Sequence, residues 1–146
     1  MPRRHDDLRV EADEAVHRWL SLREWDVARG ERFPDFVVKT GRGRIGYEVK
    51  LFRSTKNVPS VTVDILLKAS TEVRSGRFTR FYLVIVLDPS DGLDPYRGAN
   101  VIKDRIHELL TSFTSIGIIL GHVVEGVFSP IVTLDLPRDA RPDEFS

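Results

Sequence analysis

Asp35, Glu48 and Lys50 are the residues whose types and spacing bear most directly on chemistry. Glu48 and Lys50 stand in the run Arg44–Leu51, where Ile45, Tyr47, Val49 and Leu51 alternate with Gly46, Glu48 and Lys50. A period of two turns the apolar set to a buried face and puts Glu48 and Lys50 together on the other, with Cα atoms about 7 Å apart. A Gly-Arg-Gly turn at Gly41–Gly43 joins this run to an earlier one, Phe33–Thr40, so the stretch reads as a β-hairpin. With Gly41 and Arg42 as a two-residue turn, Asp35 falls directly opposite Glu48, with Cβ atoms roughly 5 Å apart. A three-residue loop would instead set Asp35 against Val49. Two carboxylates side by side repel unless a cation lies between them, and a hard divalent ion such as Mg²⁺ suits their oxygens. Lys50 is then placed to orient or deprotonate a nucleophilic water held by the ion. The same residues also admit a plainer reading, a solvated face with a Glu48–Lys50 ion pair of little energetic weight.

The flanking sequence supplies elements able to hold such a hairpin. From about Leu8 to Glu24, the apolar residues Leu8, Ala12, Ala15, Val16, Trp19, Leu20 and Leu22 recur at helical spacing. Of its early acids, Glu14 points away from the apolar stripe, and Glu11 and Asp13 flank the stripe on opposite edges; acids here also suit the helix dipole. Trp25–Arg29 is a short strand candidate. After the hairpin, Phe52–Val58 is a polar connection, and Pro59 keeps the next helix, Val61–Ser75, from starting earlier, with Gly76 as its stop. Lys68 lies just off that helix's apolar stripe. Phe81–Leu87 is an unbroken apolar run, the signal of a strand buried on both faces. A turn-rich stretch, Asp88–Asp94, leads to another long helix ending near Phe113 and capped by Asp94 or Asn100. Two strand candidates, Ile116–Val124 and Val127–Leu134, meet near Glu125-Gly126, a hairpin turn pairing.

Length and composition set bounds. The 146 residues make one domain able to bury a core, expected over 8–136, with 1–7 and 137–146 as flexible tails. No run approaches the ~18 apolar residues of a membrane span. The lack of cysteine excludes disulfides and thiolate metal sites and fits a cytoplasmic protein. His5, His17, His107 and His122 are scattered without metal-ligand spacing, and no GxSxG elbow or phosphate-binding glycine loop occurs. Net charge is zero, which is not the bulk signature of a nucleic-acid binder. Its distribution is uneven: Lys39, Arg42, Arg44, Lys50, Arg53 and Lys56 face the single acid Glu48 between residues 39 and 56. Cations around a carboxylate site suit a polyanion whose reacting group needs a metal.

The order helix, strand, hairpin, helix, buried strand, with Pro34-Asp35 in one hairpin strand and Glu48-Val49-Lys50 in the other, resembles the PD-(D/E)XK nuclease superfamily. Within it the chain looks most like Holliday-junction resolvases and modification-dependent restriction nucleases. The resemblance covers roughly Leu8 to Leu87. It implies an α/β fold with an αβββαβ restriction-endonuclease-like core, a mixed central sheet flanked by helices, and an added C-terminal helix and strands. It also implies a Mg²⁺-dependent deoxyribonuclease, with Mn²⁺ able to substitute and no organic cofactor. Asp35, Glu48 and the Val49 carbonyl would be metal ligands and Lys50 the catalytic lysine. An acid in the first helix is expected with apolar residues three and seven positions later. Asp13 meets this through Val16 and Leu20, although Glu is the usual residue; a one-residue shift would restore Glu14. Lys68 is the counterpart of a phosphate-contacting residue of the second helix, and Arg29, Arg53 and Lys56 would track the DNA backbone. Members that cut both strands usually act as homodimers, with Ile116–Leu134 or the second long helix as the expected interface.

Overall fold

The structure, a computed structural model, describes residues 5–24 and 26–135. Trp25, the first four residues and the expected C-terminal tail lie outside the described residues. Helix α1 (His5–Arg23) is followed by β1 (Val27–Arg29), β2 (Phe36–Thr40) and β3 (Gly43–Phe52). Then come α2 (Val58–Arg74), β4 (Arg80–Leu87), a short 3₁₀ turn (Pro89–Asp91), α3 (Pro95–Leu110), β5 (Ile116–Val124) and β6 (Val127–Asp135). All six strands form one mixed sheet in sequence order, β1-β2-β3-β4-β5-β6. Strands β3, β4 and β5 run parallel to one another, and the other pairings are antiparallel.

Parallel neighbours need crossover connections, which α2 and α3 provide. Both helices pack on one face, where Ile65, Leu66 and Ala69 of α2 and Ala99, Ile102, Ile106 and Leu110 of α3 meet Phe81, Leu83, Ile85, Ile116 and Ile118. Helix α1 covers the other face alone, laying Ala12, Ala15, Val16 and Leu20 on Phe36, Val38, Tyr47, Val49, Leu51, Val84 and Val86. Strand β4 is therefore buried on both sides, as its unbroken apolar run requires.

Several boundaries differ from the sequence-based expectation. Asp6 and Asp7, placed in a flexible tail, form the first turn of α1, where their charges favour the helix N-terminus. Strand β2 starts at Phe36 rather than Phe33, because Pro34 has no N–H for a ladder. Helix α2 starts at Val58, three residues early; a proline in the first turn replaces an N–H that has no intrahelical partner. Asp94, not Asn100, caps α3, its Oδ1 accepting from the N–H groups of Tyr96 (3.0 Å) and Arg97 (3.4 Å). The β5–β6 turn sits at Glu125-Gly126, both with positive φ (51° and 78°), the twist a two-residue hairpin favours.

Candidate active site

The geometry of the site follows from the hairpin register. Thr40 pairs with Gly43 and Phe36 with Tyr47, so Gly41 and Arg42 form the two-residue turn and Asp35 falls opposite Glu48. Thr40 fixes that turn, its Oγ1 donating to the Gly43 carbonyl at 3.0 Å and accepting from the Arg42 N–H at 3.2 Å. Backbone and carboxylates then lock together in both directions. The Asp35 N–H donates to Glu48 Oε1 (3.0 Å), and the Val49 N–H donates to Asp35 Oδ2 (2.8 Å).

Upstream, the loop 30–35 holds Asp35 from the other side. The Gly30 N–H donates to the Asp35 carbonyl at 2.8 Å. A Cβ at Gly30 would stand 1.8 Å from the Pro34 carbonyl oxygen, so only glycine lets the chain pass so close. Sequence reasoning missed this residue, whose one signal is a glycine in an otherwise charged link just before the hairpin.

Glu48 is the buried member, with its side chain 9% exposed, while Lys50 is 42% exposed and places Nζ 3.6 Å from Glu48 Oε2. Burial first, and then the Asp35 charge beside it, push the Glu48 carboxyl up from 4.5 to about 8; the Lys50 ammonium opposes this without cancelling it. Asp13, half-buried on α1, is likewise pushed up to about 6 by burial and by the Asp35 charge. Of the three early acids, Asp13 is therefore the one whose field meets Asp35. Glu14 instead binds Arg29 at 3.0 Å on the surface. Glu11 lines a separate cleft at the carboxyl ends of β3 and β4, with Leu51, Val86 and Asp88.

The cations divide. Arg29 is held by Glu14 and lies over the Phe36 ring at 5.2 Å. Arg53 ion-pairs with Asp88 (3.4 Å) and Asp91 (4.0 Å), which ties down the end of the sheet. Lys56 is exposed in the turn before α2. Lys68 projects from α2 over the ring of Phe33, 5.9 Å from the centroid of a ring that lies two residues before Asp35. Of the expected backbone contacts, Lys68 is the one that packs against the segment leading into Asp35.

Among the described residues, no group of three or more histidine or acidic side chains is disposed to hold a metal. The donor set is the carboxylate pair, and Mg²⁺ is commonly held by one or two carboxylates with waters and substrate phosphate completing its shell. A buried Glu48 carboxyl beside the half-buried Asp35, two like charges side by side, fits such a cation. No helix among the described residues is long and apolar enough to cross a membrane. Comparison with protein-family models, with curated proteins and with solved structures finds no match to this chain.

Proposed function

We propose that this chain is a metal-dependent endonuclease of the PD-(D/E)XK kind that hydrolyses phosphodiester bonds of DNA. The observation that carries the reading is the interlocked pair: Asp35 and Glu48 opposed across the hairpin, each fixed by the other strand's backbone, with Lys50 beside them. Two adjacent carboxylates, one of them buried, cost the hairpin stability that neutral acceptors in the same places would not. The succession α1, β1–β3, α2, β4 supports the same family likeness and a restriction-endonuclease-like core.

Asp35 and Glu48 would hold Mg²⁺, with the Val49 carbonyl and Asp13 as the further donors that the resemblance names. Bound there, the ion would activate a water and offset charge on the scissile phosphate. The chain's own residues do the rest. The Val49 and Asp35 N–H groups aim the two carboxylates and keep them from turning to solvent. Lys50, half-exposed at the mouth of the site, positions the attacking water and steadies its hydroxide character. One such site handles one strand, so double-strand cutting requires a homodimer.

The test is a cleavage panel of four-way junction, flap, single-strand and duplex DNA with Mg²⁺ or Mn²⁺. Wild type is expected to cut at least one substrate, with Asp35→Asn and Lys50→Ala slower by about 100-fold or more. Equal cutting by all three proteins would overturn the assignment.

A further inference from the structure

The surface between the β2–β3 hairpin and α2 carries cations well beyond the carboxylate site. Val37 packs into the core under α2, so Lys39, two residues on, shares its face, and register sets Arg44 directly opposite Lys39. Like charges directly opposed destabilise a strand pair, and nothing in the fold requires them there. Arg77, just past α2, joins them from a distant part of the sequence. Its guanidinium lies 5.0 Å from the ring centroid of buried Phe78, and that of Arg44 lies 5.6 Å from the same ring. Two guanidiniums are thus held on one aromatic platform. The acids at this end are Glu72, 3.1 Å from Arg77, and Asp26, whose carbonyl accepts from the Lys39 N–H. Toward the carboxylate pair the same face continues through Lys68 over Phe33 to Lys50.

From Lys50 to Arg44 is six strand rises, about 20 Å, the length of roughly six base pairs of one strand at 3.4 Å each. We infer that this basic face, running from Lys50 past Lys68 to Lys39, Arg44 and Arg77, carries the phosphate backbone flanking the scissile bond. The inference rests on the nuclease reading and adds the path of the substrate and its far anchor at the hairpin tip. It also separates these cations from Arg53, which the sequence groups with them and the fold places at the opposite end of β3 from Arg44, between Asp88 and Asp91.

The test is fluorescence anisotropy of a DNA duplex of about 20 base pairs, with Ca²⁺ in place of Mg²⁺ to hold cleavage back, across a range of salt. The combined Lys39→Ala, Arg44→Gln, Arg77→Gln variant is expected to lower the slope of log affinity against log salt by about 0.9 for each phosphate it no longer neutralises. Arg44→Lys keeps its charge and its slope, which separates the role of charge from a loosened Phe78. Arg105→Ala on α3 leaves the slope unchanged. In cleavage, the combined variant raises KM with kcat retained, whereas Lys50→Ala lowers kcat. A wild type that cuts DNA while the combined variant keeps the full salt slope overturns the path and leaves the nuclease intact. Binding of wild type to anionic vesicles but not to duplex overturns the path as well. A wild type that neither binds nor cuts any DNA overturns both.

Discussion

Replacing Glu48 by glutamine should remove most of a loss of stability that wild type suffers as pH rises. In the metal-free protein the Glu48 carboxyl titrates near 8, against 4.5 for the exposed side chain. A raised pKa means that the folded state holds a proton which the unfolded chain has released. The stabilisation is therefore fully present below about pH 4.5 and is lost progressively as pH rises through about 8. Each pH unit inside that window is worth at most about 1.4 kcal/mol for one proton, so raising pH from about 5 to about 7.5 should lower unfolding free energy by about 3 kcal/mol. That is a large share of the roughly 5–15 kcal/mol typical of a domain. Glutamine keeps an acceptor for the Asp35 N–H and has nothing to titrate. Urea unfolding in EDTA, followed by tryptophan fluorescence, should show Glu48→Gln overtaking wild type as pH rises. Asp13 contributes in the same direction, and its contribution cancels in the difference between the two proteins. Added Mg²⁺ should restore wild type at high pH and leave the glutamine variant unmoved. Parallel pH curves for the two proteins would refute the burial of Glu48, and no rescue by Mg²⁺ would refute its part in holding a cation.

Three other outcomes follow from the same geometry. Gly30→Ala should cost about 3 kcal/mol in urea unfolding, because its Cβ meets the Pro34 carbonyl at 1.8 Å, and should weaken Mg²⁺ binding measured by calorimetry by shifting Asp35. Asp94→Ala should cost about 1 kcal/mol by removing the α3 cap, without changing Mg²⁺ affinity. Asp13→Asn should change Mg²⁺ affinity, whereas Glu14→Gln should leave it alone and cost no more than about 0.5 kcal/mol from a surface ion pair; a reversed ranking in titrations would assign the first-helix acid to Glu14.

The hairpin was legible because its information is local. Turn chemistry at Gly41-Arg42 and strict alternation through Val49 fix a register, and register alone puts Asp35 opposite Glu48. The apolar run of β4 and the Glu125-Gly126 turn were legible for the same reason. Arg53 was not: its partner Asp88 lies just past another strand, and only the alignment of β3 with β4 brings the two together. Asp13 and Glu14 differ by one step of a helix, and the docking angle of α1, a tertiary property, decides which of them meets Asp35. The start of α2 was missed because Pro59 signals both a barrier and a favoured first-turn position, and the chain uses the second. Burial of Glu48 was invisible as well. Alternation says which face a residue takes, but not how deeply that position is buried.

Helix α1 is made before every strand it covers, yet its grip reaches to the far end of the chain. The Arg18 guanidinium donates to the Gly126 carbonyl at 2.6 Å across 108 residues, and Trp19 meets Phe128 edge to face. During synthesis the part of α1 that meets β6 waits, uncovered, until that strand has left the ribosome, while Phe36, Tyr47 and Val84 of earlier strands are already there to cover the rest. A nascent chain halted after β4 would hold α1 and the hairpin carboxylates together but would lack the clasp at Gly126 and Phe128.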